Sequence, residues 1–315
     1  MISNTNTITT ASNAVVIGYG SIGKRHRHLL CELFDEVFIV SRRPSPEYFV
    51  YYDLEQCLGF SKPEYVVVAS ETARHLHDLY RLNELNFKGT VLVEKPLASH
   101  IFLNKEYGFK NICVGYHLRF NPLVLKLRQV LSKEKVLCAH FHVGQYLPTW
   151  RPNQNYSGSY SAKTSLGGGV LNDLSHELDL VTWFFEKWHR LSSMGGQLSD
   201  LDIDSEDCFS VFLSSEKCEH ITVHLNYLEH HKERKIKFLT NDNTYEADLI
   251  RNTFSTNGTL EELKHKNSDD YLAMHRAARI GDNSLVCNLN QGIQTVAMID
   301  RIKSANTELT WQFNE

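Results

Sequence analysis

A short apolar run, AVVI at residues 14–17, leads straight into GYGSIGKRHRHLL at 18–30. Gly18, Gly20 and Gly23 give the spacing G-x-G-x-x-G. They lie between a β-branched stretch and a segment whose Ile22, Leu29, Leu30 and Leu33 are available for packing as a helix over 21–34. Alone, three such glycines are weak evidence; between a strand and a helix they constrain the fold sharply. The first glycine permits a tight turn, the second lets backbone approach a pyrophosphate, and the third lets helix and strand pack closely. The helix N-terminus adds partial positive charge. The competing reading is a plain glycine turn.

The pattern continues in kind. Residues 37–40, 65–69, 91–93 and 112–115 are further apolar strands, and a helix-like stretch over 72–86 ends at Lys88-Gly89. Strands alternating with helices of this length predict a parallel, doubly wound α/β sheet. After Asn121-Pro122 the pattern changes. A helix over 123–131 is followed by a half-exposed strand over 136–146, with His140 and His142 on one face. Strands over 209–213, 221–228 and 235–239 look antiparallel. A helix over 292–305 and a strand over 309–313 finish the chain. The expected organisation is a dinucleotide-binding Rossmann domain at 1–120, with a mobile tail at 1–12, and an α+β domain with a mostly antiparallel sheet at 121–315.

With 315 residues, of which 42% are hydrophobic, the chain can build a sizeable core. A net charge of -4 supplies no basic field, so nucleic acid is not an expected partner. No apolar run is long enough to span a membrane, and the polar start MISNTNTITTASN does not read as a secretory signal. Seven scattered cysteines without a C-x-x-C pair suit reduced thiols in the cytoplasm. Sixteen histidines show no zinc-binding spacing, and no metal is expected.

Three further stretches carry chemistry. The end of the second strand should read the ribose, where a carboxylate usually grips the 2′-hydroxyl of NAD. Ser41, Arg42 and Arg43 stand there instead. A hydroxyl and two guanidiniums suit a 2′-phosphate, so NADP(H) is expected over NAD(H), with NAD(H) still possible. The alternative is a pair of solvated surface arginines.

In VLVEKPL, at 91–97, a buried strand runs into Glu94, Lys95 and Pro96. Ligands of open α/β sheets bind beyond the carboxyl ends of strands. Alternation sends Glu94 and Lys95 to opposite sides, so Lys95 reaches the crevice. An ammonium in a partly dry cleft has its pKa lowered and can polarise a substrate oxygen. Taken alone, the tripeptide reads better as a surface salt bridge at a strand end.

In LGGGVLNDLSHELDLVTWFFE, at 166–186, Leu171, Leu174, Leu178, Val181 and Phe185 form a helical stripe. Asn172, His176 and Asp179 lie on the other side, with Asp173 three residues before His176. A histidine oriented by a carboxylate suits acid/base work. A helix alone with this pattern is an exposed polar face.

GYGSIGKRH, VLVEKPL, GYHLRFNP and GGGVLNDLSHELD, in that order and spacing, resemble the Gfo/Idh/MocA oxidoreductases over residues 14–305. The resemblance implies a Rossmann domain, a second α+β domain whose sheet serves as an oligomer interface in a homodimer or homotetramer, and redox chemistry on sugars and cyclitols with NAD(P). It implies that Lys95 is the catalytic lysine and His176 the catalytic histidine. Many members carry an aspartate four residues before that histidine; here Asn172 holds the slot, and Asp173 is the expected acidic partner. His75 matches a histidine near the cofactor, and Tyr116 and Arg119 match positions near the site. Ser21, Ile22, Ser70 and Glu94 complete the expected cofactor contacts.

Residues 144–169 show no period, and so long a loop is usually functional or disordered. Its Tyr146, Trp150, Tyr156 and Tyr160 can stack on a sugar face. Arg151 and Lys163 can clamp a carboxylate or diphosphate. Trp150, Arg151, Tyr160 and Lys163, with Tyr116, Arg119 and Asn172, are the expected substrate contacts. The expected reaction is hydride transfer between nicotinamide and a carbinol carbon of a sugar, sugar acid or nucleotide-sugar. Two rivals are a glycosidase that retains its NAD and a non-catalytic, cofactor-bound sensor or scaffold.

Overall fold

The computed structural model describes residues 12–102, 105–151 and 154–307. The strand expected at 309–313 and nearly all of the expected tail lie outside them.

The first sheet follows from strands that are apolar on both sides. The opening elements are β1 (Asn13–Ile17), α1 (Ser21–Leu30), β2 (Glu36–Val40), α2 (Leu54–Ser61), β3 (Tyr65–Val68), α3 (His75–Glu84), β4 (Thr90–Val93) and β5 (Asn111–Val114). Every residue of β3 and β4 is buried, as a parallel sheet covered on both faces requires. β5, β4, β3, β1 and β2 pair in that order, all parallel. The strand order therefore reverses between β1 and β3. The carboxyl ends there present the glycine turn on one side and Ser70 on the other, where a dinucleotide crevice belongs. α2 was not anticipated from sequence; Asp53 caps it by accepting from the Gln56 amide.

The second half contributes α4 (Pro122–Leu131), β6 (Cys138–Gly144), α5 (Val170–Asp173), α6 (His176–Phe185), β7 (Trp188–Gly196), β8 (Cys208–Ser215), β9 (His220–Asn226), β10 (Glu233–Leu239), β11 (Thr244–Asp248), β12 (Thr253–Thr256) and β13 (Thr259–Glu262). They form an eight-stranded sheet in the order β13-β12-β11-β10-β6-β9-β8-β7. All neighbours are antiparallel except β6 and β9. Alternation divides its faces. Ala139, Phe141 and Val143 of β6 and Ile221, Val223 and Leu225 of β9 point into a core closed by α4, α6 and the last helix. His140, His142 and His224 point the other way. On that open face Phe212 and Met194 are 53% and 48% exposed.

The chain's end then returns to the first sheet. α7 (Asn267–Ile280) packs Tyr271, Met274 and Ala278 with Leu29 and Leu30 of α1 over one face. β14 (Cys287–Asn288) adds an antiparallel edge strand to β5. α8 (Leu289–Thr307) starts against the other face through Val296 and ends in the core of the second sheet through Met298, Ile299 and Ile302. Among the described residues, no helix is long and apolar enough to cross a membrane.

Candidate active site

Glu94 and Lys95 do part to opposite sides of β4's end, and each finds a buried partner. Glu94 Oε1 meets His26 Nε2 at 2.8 Å, His26 Nδ1 meets His275 Nε2 at 2.9 Å, and His275 Nδ1 meets the Tyr65 hydroxyl at 2.9 Å. A carboxylate only accepts, so His26 donates through Nε2, and in the neutral tautomer its Nδ1 accepts. The same logic makes His275 donate to His26 and Tyr65 donate to His275. The four side chains form one oriented chain, all but sealed from solvent. Burial alone would raise the Glu94 pKa, but the His26 contacts and the Lys95 charge hold it below the ordinary value. Its other oxygen accepts from the Lys95 amide at 3.1 Å. The ionised carboxylate thus fixes the backbone that carries the lysine.

Lys95 Nζ crosses to the second half and donates to the main-chain oxygen of Asp173 at 2.5 Å. Burial lowers its pKa, against the raising pull of Asp173 and Glu94. His176 stands three residues beyond Asp173. Its ring meets Tyr116 edge-on at 5.6 Å and His117 at 4.7 Å. Its Nδ1 has no hydrogen-bond partner among the described residues. Burial, reinforced by His117 and the Lys95 charge, holds it well below its ordinary pKa, so the imidazole is neutral. An amine from the first half and an imidazole from the second therefore feel one another in a shared interior.

The glycine turn fits a dinucleotide. Gly18 has φ +93°, and a Cβ there would stand 2.5 Å from the Ala69 oxygen. A Cβ on Gly23 would stand 2.1 Å from the Gly18 oxygen, so strand, turn and helix close tightly only with glycine. Gly20 faces open space, and the first turn of α1 carries no acidic side chain. Free amides and room beside them suit a diphosphate. Ser21 is exposed there, and Ile22 packs back onto the sheet.

Residues 126–248 match the family model of the GFO/IDH/MocA C-terminal domain. The inositol 2-dehydrogenase of Acidothermus cellulolyticus is 27% identical over 190 residues, which span 54% of this chain and 52% of that enzyme. The match thus covers only about half the length of this curated relative. Two solved structures share the fold. The WlbA dehydrogenase from Bordetella pertussis, in complex with NADH and UDP-GlcNAcA, superposes with a TM-score of 0.75 at 17% identity, over 95% of this chain and 97% of the other. Levoglucosan dehydrogenase in complex with NADH superposes with a TM-score of 0.79 at 13% identity, over 95% and 98%.

Residues 126–248 are thus similar to the C-terminal domain of the Gfo/Idh/MocA family.

Within this fold, several anticipated residues are held otherwise than sequence suggested. The helix read from its stripe of Leu171 to Phe185 breaks at Leu174 and Ser175, between α5 and α6. Asp173 consequently does not bond His176. Its carboxylate accepts from the phenols of Tyr160 and, at 2.7 Å, Tyr227. The polar side is not exposed either: Asn172, Asp173, His176, Glu177 and Asp179 are all buried. Arg119 is drawn away from the site and forks onto Asp179 at 2.9 and 2.6 Å, with Gln291 on its third nitrogen. Its donors face protein, not substrate. Asn172 Nδ2 holds the Gly167 oxygen at 3.1 Å, while its Oδ1 is buried without a partner among the described residues. Tyr116 donates weakly to Ser175, at 3.4 Å.

On the cofactor side, His75 lies between the carbonyls of Pro96 and Ser70, at 2.9 and 3.1 Å, and its neutral ring donates to one of them. Ser70 Oγ donates to Asp78. Ser41 Oγ accepts from the Arg43 amide, and exposed Arg42 forks onto Glu71 at 3.0 and 2.9 Å.

Among its described residues, the 144–169 loop is shaped by four short 3₁₀ turns. Trp150 meets Tyr227 edge-on at 5.2 Å, and Arg151 lies 5.6 Å over the Tyr160 ring. Trp150 and Arg151 also border a cavity of about 10 Å³, space for about one water. Lys163 is half-buried in the turn beside it.

Sequence reasoning passed over His117, Tyr227, Tyr271 and Arg234. His117 stacks on Tyr271 at 3.9 Å, and Arg234 pairs with buried Glu177 at 2.9 Å. Burial first, then the charges of Arg234, Lys95 and Arg25, hold His117 well below its ordinary pKa. The HLRF turn that carries His117 was the only available signal.

His75, His117, His176 and His275 all have pKa values lowered from 6.5, chiefly by burial. Above that value both folded and unfolded chains hold them neutral. Below it the unfolded chain binds protons that the folded chain refuses, so stability falls with pH. Each histidine contributes up to about 1.4 kcal/mol per pH unit. Urea midpoints at pH 7.5, 6.5 and 5.5 should therefore drop steeply at the last step; a flat series contradicts neutral burial.

Proposed function

We propose that this protein is an oxidoreductase that prefers NADP(H) and moves a hydride between C4 of the nicotinamide and a carbinol or keto carbon of a sugar, sugar acid or nucleotide-sugar. The carrying observation is Lys95 bonded to residue 173, beside neutral His176, beyond the carboxyl end of β4. The names of the relatives, an inositol dehydrogenase, a WlbA dehydrogenase with UDP-GlcNAcA and a levoglucosan dehydrogenase, support the substrate class.

The cofactor, when bound, supplies the hydride acceptor or donor. Gly18, Gly20, Ser21, Ile22 and Gly23 hold its diphosphate, Ser41, Arg42 and Arg43 its ribose end, and Ser70, His75 and Glu94 shape the crevice. A neutral imidazole accepts a proton from the substrate hydroxyl, which is the role of His176. The Lys95 amine, partly desolvated, donates to the same oxygen and steadies negative charge on it. Asp173 holds Tyr160 and Tyr227 in place and keeps Lys95 within reach. Trp150, Arg151 and Lys163 contact the sugar from the loop. A screen of sugars and nucleotide-sugars with NADPH, read by nicotinamide absorbance, tests the whole assignment; no turnover with any of them would defeat it.

Residues 1–120 act as the cofactor unit, completed by α7 and β14, and 121–315 as the substrate and assembly unit. The open face of the eight-stranded sheet, with Phe212 and Met194 exposed, joins copies into a dimer or tetramer. Light scattering should give two or four chain masses, and a monomer at micromolar concentration excludes this.

The Arg42–Glu71 pair favours a second reading, in which Glu71 serves the 2′-hydroxyl of NAD(H). Arg42→Asp decides between them. Losing a phosphate-binding guanidinium should raise the KM ratio of NADPH to NADH by about tenfold or more; an unchanged ratio removes Arg42 from cofactor selection.

A further inference from the structure

We propose a second binding site, for a divalent transition-metal ion with zinc as the best fit, on the open face of the eight-stranded sheet. Its ligands are His142 of β6, Glu229 of the β9–β10 connection and Glu233 of β10, with His224 of β9 beside them. The ligand atoms of the first three lie within 4.8 Å of one another.

The spacing suits a metal. His142 Nε2 is 2.8 Å from Glu229 Oε2 and 3.9 Å from Glu233 Oε2. Tetrahedral ligands about 2.0–2.1 Å from zinc stand roughly 3.3 Å apart, between those two distances. Imidazole nitrogen and carboxylate oxygen are both donors that zinc accepts, and two negative charges balance the ion. His224 stacks on His142 with ring centres 5.3 Å apart. Its Nδ1 meets the Ser210 hydroxyl at 2.8 Å, which fixes that ring beside the three ligands. Outer hydrogen bonds of this kind fix the ring of a metal-binding histidine.

The backbone makes room for the site. His142 and His224 are register partners, and so are Gly144 and Asn226. A Cβ on Gly144 would come 2.3 Å from Glu229 Oε2, so the glycine lets that carboxylate lie down on the sheet. Asn226 Nδ2 steadies the same oxygen at 3.3 Å. A shallow depression of about 390 Å³, lined by His224, Asn226, Glu229, His230 and His231 among others, lies beside Glu229. Lys235 pairs with Glu233 Oε1 at 2.9 Å and leaves Oε2 toward His142. All the ligands come from one chain, so the site needs no second copy. An ion here would pin the connection that begins at Tyr227, whose phenol holds Asp173.

The test is titration of the full-length protein with Co²⁺, read by visible d–d absorption, and then with Zn²⁺ in competition. One equivalent should give the absorption of a four-coordinate site, and zinc should abolish it. His142→Ala should weaken binding at least tenfold, and Glu233→Gln should do likewise. His140→Ala, on the same face of β6 but outside the cluster, should bind as the parent does, with circular dichroism confirming the fold of all three. Absence of saturable one-equivalent binding, unchanged affinity in His142→Ala, or an equal loss in His140→Ala would each overturn the site and leave His142 and Glu229 as an ion pair.

Discussion

Replacing Lys95 with Met is expected to lower kcat by about 10²- to 10⁴-fold, the usual worth of one positioned acid/base group, while cofactor affinity changes only a few-fold. Met keeps the length and apolar stem of lysine and loses the donor. The glycine turn and Arg42 do not contact residue 95, so the cofactor should still bind. One side effect follows from the Lys95–Asp173 bond: the Asp173 carbonyl loses its partner, which costs roughly 1–3 kcal/mol of stability. A melting curve taken beside the kinetics separates the two effects. If kcat is unchanged in a folded variant that still binds cofactor, Lys95 has no part in the chemistry.

Asp179→Leu is expected to destabilise the fold by about 3–5 kcal/mol, because it strands the Arg119 guanidinium without its partner. Both side chains are about 1% exposed, and the pair is bidentate. The double variant Arg119→Met, Asp179→Leu should recover most of that loss, since a buried ion pair can often be replaced by apolar residues of similar volume at little net cost. Denaturant unfolding of the two variants measures the difference. The same experiment decides what Arg119 is for. A substrate-binding arginine would raise KM when replaced and leave stability alone; a structural one would do the reverse.

How far each feature could be read from sequence depends on the range over which it is encoded. The parallel sheet was legible because strands such as YVVV and TVLV are buried on both faces and carry the signal in every residue. The open face of the second sheet was legible in the alternation of β6, where His140 and His142 stand between Ala139, Phe141 and Val143. α7 and β14 were missed. Their apolar residues answer to α1 and β5, more than 150 residues away, and β14 is only two residues long. The helix break before His176 was missed because the apolar spacing of three and four runs unbroken across Leu174 and Ser175. Only the shared interior with Tyr116, Tyr160 and Tyr227 turns Asp173 one way and His176 another.

The amino-acid sequence by itself determined the local geometry: which segments are strands, where only glycine can turn, and that a lysine stands at a strand's end. Those follow from sterics and from the period of apolar residues, which act between near neighbours. The tertiary structure alone decided what each polar group meets. Glu94 with His26 and His275, Arg119 with Asp179, and His142 with Glu229 are pairings between distant strands and helices. Charge and hydrogen bonding choose partners by distance in space, and the chain reveals that distance only once it has folded.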